Sequence, residues 1–130
     1  MPKVSKVSIK KEMKGKLPSL PFVLLKNKVL GRNYELSIVW ATTKTSRNLN
    51  KHFRGYDRPT NILSFSLSPK SGELVLHWPT IRRDAPTFGL YPKKFLGYLI
   101  IHGLLHLKGM QHSSKMESKE RQYSKFFRFN

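Results

Sequence analysis

The spacing of apolar residues changes period several times along the chain, and each change marks an element. Near the start, Val4, Val7 and Ile9 alternate imperfectly with polar residues, which predicts a first, edge-like strand. In LPSLPFVLLKNKVLG, Leu20, Val23, Leu24 and Leu30 recur at broadly helical spacing, and Gly31 is placed to stop the helix. YELSIVWA, residues 34–41, sets Leu36, Ile38 and Trp40 on one face at period two, a clearer strand. From Thr43 to about Phe53 a polar helix carries Leu49 and Phe53 four apart. NILSFSL then puts Leu63, Phe65 and Leu67 on one face, and ELVLHW does the same with Leu74, Leu76 and Trp78. Pro79 to Leu90 has prolines, charges and no period, so it reads as a long loop of the kind that is often functional. Tyr91 to Leu107 predicts a helix that is apolar around most of its circumference, and so buried against a sheet. A last helix starts at Ser114, where SKME matches a capping box closed by Glu117; it carries Met116, Tyr123 and Phe127 on one side.

Strand, helix, strand, helix, two strands, two helices is the order of an α/β or α+β fold: a small mixed sheet of about four strands packed with helices, with the long helix in the core. One domain over residues 1–130 is expected, because no repeat or linker divides the chain and its 38% hydrophobic content suffices for a core. The most apolar stretch, FLGYLIIHGLLHL, is well short of the ~20 residues that cross a bilayer. No membrane span is expected. The N-terminal MPKVSKVSIKKEMKGK has no apolar stretch behind its charges before Leu17 and reads as mature protein. With no cysteine, a metal site must use nitrogen and oxygen ligands, and a reducing cytoplasm fits.

Charge changes the picture. Lys and Arg total 25 against seven acidic residues, a formal charge of +18, so the surface repels itself unless a polyanion or counterions sit against it. The basic residues run from Lys3 through Lys44–Arg58 to Arg82, Arg83, Lys93, Lys94 and the C-terminal segment, a spread that suits a surface holding a phosphate backbone. Nucleic acid is the expected partner.

Three of the five histidines fall in HGLLHLKGMQH. His102 and His106, four apart on a helix, project from one face. His112 is too far along to share that face, but Gly109 can take positive φ, end the helix and turn the chain back so that a third imidazole meets the first two. Three neutral imidazoles leave a tetrahedral zinc with one open position, the arrangement of a catalytic site. Histidines at 0, +4 and +10 with glycine at +7 match the ligand frame of the metzincin proteases, except that Gly103 stands where those carry a glutamate base. Ser64 in the LSF strand is a candidate to line the cleft, as His77 is for a polar contact to RNA; Tyr56, Trp78, Phe88 and Tyr91 are candidates to stack on bases.

With these residues the chain resembles the YbeY family of single-strand endoribonucleases, which act in ribosomal RNA maturation and ribosome quality control. His102, Gly103, Leu105, His106, Leu107, Gly109 and His112 match the family's H-G-x-L-H-L-x-G-y-D-H. LNKHFRGYDRPTNILSF, with Arg54 and Thr60 to Phe65, resembles a second family stretch, and GELVL the strand after it. Gln111 and Asn61 stand where the family usually has aspartates. The resemblance implies a metal-dependent cut in single-stranded or ribosomal RNA, on the ribosome or its small subunit. One ion per chain, zinc, or nickel or another divalent ion, activates water or polarises the phosphate, and Arg54 binds the phosphate. Gly103 then leaves room beside the metal for a phosphodiester, and the nucleophile is either water or the RNA 2′-hydroxyl. Two alternatives share the motif: a zinc peptidase of metzincin-like geometry, and a ribosome assembly factor without catalysis.

Overall fold

In the computed structural model, which describes residues 7–130, four strands form one mixed sheet: β1 (Val7–Lys11), β2 (Glu35–Trp40), β3 (Ile62–Ser68) and β4 (Ser71–Leu76). Their order is β1-β2-β4-β3, with β2 parallel to both β1 and β4, and β3 antiparallel to β4. Val4 of the predicted first strand lies outside the described residues. The helices are α1 (Phe22–Leu30), α2 (Thr43–Arg54), α3 (Trp78–Asp84), α4 (Pro92–Leu107) and α5 (Ser114–Phe127). The predicted mixed sheet packed with helices is the observed one.

Alternation in the strands sorts side chains between two faces. Leu36, Ile38, Trp40, Ile62, Leu74 and Leu76 point into the main core with α1, α4 and α5, while Ala41, Leu63 and Val75 form a smaller cluster with Leu49 on the other face. Leu96, Ile100, Ile101 and Leu104 of α4 are essentially fully buried, as a helix apolar on most sides must be.

Four details differ from the sequence reading. The segment 79–90 is not a loop: it holds most of α3 and a 3-10 turn over Ala85–Phe88. Pro79 and Pro86 each sit in the first turn of a helix, where a missing N–H costs nothing, and Ile81 and Ala85, four apart, are buried. The buried face of α1 is Phe22, Leu25 and Val29, while Val23 and Leu24 are exposed. In the apolar run FVLL periodicity admits either face; the chosen one buries Lys26, whose Nζ donates to the carbonyls of Gly31 and Arg32 at 3.2 and 3.0 Å beyond the helix end. Trp78 opens α3 instead of closing a strand, and meets Trp40 edge-on at 6.2 Å. On edge strand β3, Leu67 is exposed because α2 covers only the part of that face near Leu63 and Phe65.

The polar side of α2 holds the turn that follows it. Thr42 caps the helix by accepting from Thr45 N, and Gly55 ends it at φ +78°. Ser46 Oγ accepts from Thr60 N and donates to Thr60 O, both at 2.9 Å, and Asn50 Nδ2 donates to Arg58 O at 2.9 Å. Arg47 grips Asp57 with two hydrogen bonds of 2.7 and 3.1 Å. The connection from Arg54 to β3 is therefore tied down along its length.

Candidate metal centre

One turn apart on α4, His102 and His106 bring their Nε2 atoms to 3.0 Å from each other. The chain then reverses as Gly109 takes φ +101°, with Gly109 N donating to His106 O at 2.9 Å and Met110 N to Leu105 O at 3.0 Å. This is the Schellman pattern of a helix end, in which positive φ lets two late carbonyls find donors. The reversal puts the His112 ring 5.1 Å from that of His102 and 4.7 Å from that of His106, centroid to centroid. One ligand atom from each of the three lies within 4.8 Å of the other two. Nitrogens on a tetrahedral zinc at about 2.0–2.1 Å stand roughly 3.3 Å apart, so small shifts of exposed His112 would close the set.

The outer nitrogens decide what the inner ones can be. His102 Nδ1 faces Glu120 Oε1 at 2.7 Å, and His106 Nδ1 faces the Met110 carbonyl at 3.0 Å. A carboxylate and a carbonyl only accept, so each Nδ1 must carry the proton. In the neutral rings both Nε2 atoms are then bare lone pairs directed at each other. Burial, with His102 as the next cause, holds the His106 pKa below its ordinary value, which disfavours an added proton on that ring. A divalent cation between the nitrogens relieves the repulsion, and the donor set of three imidazoles suits one.

Glu120 escaped the sequence reading. It is buried on α5, with His102 on one oxygen and the Tyr98 hydroxyl donating to the other at 2.8 Å. Burial and the Glu120 hydrogen bond push the Tyr98 pKa up to about 12, so the phenol stays a donor. The signal was present: Glu120 falls on the stripe of Met116, Tyr123 and Phe127, an acid on an apolar face. The cap of α5 also lies one residue earlier than expected. Ser113 accepts from Met116 N, because the turn out of the histidine loop leaves Ser113 extended and Ser114 already helical.

Other candidates fall in different places. Gly103 faces the sheet, not the open side of the histidines: a Cβ there would stand 2.8 Å from Leu74 Cδ2, 2.9 Å from Ile62 Cδ1 and 3.0 Å from Ser64 Oγ. Its smallness thus serves close packing of α4 on β3 and β4, which corrects the expectation that it leaves room for substrate. The same contact brings Ser64 beside α4, the helix that carries His102 and His106. Arg54 is exposed at the last residue of α2, and the Asn61 amide donates to Asp84 Oδ2 at 3.1 Å. His77, expected to contact RNA, is 3% exposed, with its ring nitrogens 3.0 Å from Thr43 Oγ1 and 2.7 Å from Thr80 Oγ1. Both nitrogens are occupied, and burial lowers its pKa, so it is a neutral joint between β4, α2 and α3. Tyr56, Phe88 and Tyr91 are exposed, while Trp78 packs on the core.

A family model described as Endoribonuclease YbeY matches residues 3–126. Among similar proteins, an endoribonuclease YbeY of Petrotoga mobilis is 33% identical over 111 residues, covering 83% of this chain and 77% of the relative. One of Shouchella clausii is 31% identical over 108 residues, covering 70% and 68%, and one of Gluconobacter oxydans is 40% identical over 86 residues, covering 65% and 51%. A solution structure of a Thermotoga maritima protein superposes with a TM-score of 0.60 at 29% identity, covering 91% of this chain and 86% of that one.

Two outcomes follow from this geometry. Glu120→Ala weakens metal affinity by about 10- to 100-fold in a chelator competition, the usual effect of removing a carboxylate behind a ligating histidine, while circular dichroism stays native. Gly103→Glu places a charged chain against Leu74 and Ile62, so the variant is recovered unfolded or insoluble and gains no peptidase activity; a folded, casein-cleaving Gly103→Glu protein would contradict the packing argument.

Proposed function

This chain belongs to the endoribonuclease YbeY family, and on that premise we propose that it is a metal-dependent, single-strand-specific endoribonuclease of ribosomal RNA maturation and ribosome quality control. The reading takes residues 1–130 as one such domain, working in the cytoplasm on RNA of the ribosome or its small subunit. No helix among the described residues is long and apolar enough to cross a membrane. The observation that carries the proposal is the pair of opposed Nε2 atoms, 3.0 Å apart, whose rings have both committed their N–H groups elsewhere.

His102, His106 and His112 would hold one divalent ion, zinc as the first choice and nickel as another. A bound ion of this kind supplies Lewis acidity and lowers the pKa of water toward about 7. The chain's own residues do the rest. Glu120 and the Met110 carbonyl keep two ligands in the Nδ1–H tautomer, so both present Nε2. Arg54 binds the scissile phosphate and stabilises charge in the transition state, and Ser64 lines the cleft beside the ligand helix. No protein carboxylate acts as base in this scheme: Glu120 lies behind His102 with both oxygens engaged, and position 103 has no room for one. The attacking group is water or the RNA's own 2′-hydroxyl.

Against a peptidase stands the packing of Gly103, which excludes the glutamate that such enzymes place there. The +18 charge favours a polyanionic substrate as well.

Elemental analysis together with cleavage of a defined single-stranded RNA tests the proposal. Wild type should carry one ion per chain and cut; His112→Ala should lose both properties. Arg54→Ala should retain the ion and cut roughly 10²- to 10³-fold more slowly, the range for removing one group that stabilises transition-state charge. Metal-replete wild type that cleaves casein but not RNA would overturn the reading. Binding to RNA should also weaken linearly in log–log form as salt rises, because Lys and Arg contacts release counterions.

A further inference from the structure

Beside the histidine trio, the 3-10 turn, α4, α5 and the C-terminal residues line a half-open cavity of about 440 Å³, within the range of small-ligand sites of roughly 300–1,000 Å³. Phe88, Tyr98 and Phe129 give it aromatic walls, and Arg121 and Lys125, both exposed, stand at its rim. We infer that this cavity is a subsite for one unpaired nucleobase of the RNA substrate, adjoining the histidine trio. The inference rests on the endoribonuclease reading for why RNA lies there.

Three observations carry it. The Phe88 ring is stacked on Phe95 at 4.7 Å and 25°, so one face is backed by the core, yet Phe88 remains 55% exposed. A folded chain gains little by holding an aromatic ring rigid and half in water, whereas a flat base stacked on such a ring gains ~1–3 kcal/mol. Next, Ser124 is 6% exposed in the cavity wall and its hydroxyl has no hydrogen-bond partner. Buried hydroxyls are normally paired, and a rotation about χ1 that turns this one toward the cavity would let the edge of a base supply the partner it lacks. Third, the wall is continuous with the metal centre. The Tyr98 ring lies 6.4 Å from that of His102, and both side chains hydrogen-bond to Glu120. The cavity therefore adjoins His102 on its Glu120 side, and a strand that passes around His102 from the metal to the cavity would meet Arg121 and Lys125 at the rim for its next phosphates. The cationic rim selects a polyanion over an uncharged apolar ligand.

The test uses adenosine and uridine, which lack a phosphate that could sit on the metal. Titrated into the zinc-loaded full chain, they should shift the NMR resonances of Phe88, Tyr98 and Ser124. With a short single-stranded RNA, Phe88→Ala should raise KM roughly 5- to 100-fold, the range of one lost stack, with zinc content unaltered, and Phe88→Trp should restore it. Nucleosides that leave those resonances unmoved, or a KM indifferent to Phe88→Ala in a protein that cleaves, would overturn the subsite. If Phe88→Ala fails to fold, the titration of wild type still decides. Nucleoside shifts in a wild type that cuts no RNA would support the subsite while removing the endoribonuclease reading.

Discussion

Two imidazoles cannot rest with bare nitrogens 3.0 Å apart unless something positive lies between them. The opposition exists because each outer N–H is already given away, one to a buried carboxylate and one to a backbone carbonyl. The neighbouring structure serves to keep it so. Burial of α4 against the sheet fixes the backbone from which His102 and His106 project, the reversal at Gly109 delivers both His112 and the Met110 carbonyl, and α5 returns across α4 to supply Glu120. A helix less buried would let the rings turn away from each other, and the tension that selects a cation would vanish.

The same packing explains which chemistry the site lacks. Glycine at 103 is a consequence of how closely α4 approaches β3 and β4, so the place of a peptidase's base is filled by the sheet. The carboxylate near the histidines lies behind them, with one oxygen on His102 Nδ1 and the other on the Tyr98 hydroxyl. What faces outward is cationic and aromatic: Arg54 at the end of α2, the exposed Arg121 and Lys125 of α5, and Phe88 on its stacked support. Such a surface is chemically suited to phosphates and to unpaired bases.

Much of this was legible in the chain, where a local rule sufficed. Leu36, Ile38 and Trp40 announce their strand because alternation is enforced by the pleat, and α4 is plain from its length and apolarity. Reading failed where local rules allow two answers. Either face of FVLL makes an amphipathic helix, and only the partners of Lys26 and Val29 decide between them. Prolines at 79 and 86 mark a loop or a helix start with equal force until Ile81 and Ala85 are seen to be buried.

By itself, the sequence determined the histidine spacing, the glycine that lets the chain reverse, the basic charge and the chain order of the four strands and of α1, α2, α4 and α5, because each is carried by the residue types themselves or by residues close along the chain. Tertiary structure alone decided that Glu120, eighteen positions from His102, would accept its Nδ1–H hydrogen bond, that Gly103 would face the sheet, and that His77 would be sealed between two threonines. Those outcomes depend on which helix covers which strand. That is settled by burial summed over the whole core, and no short window of residues contains it.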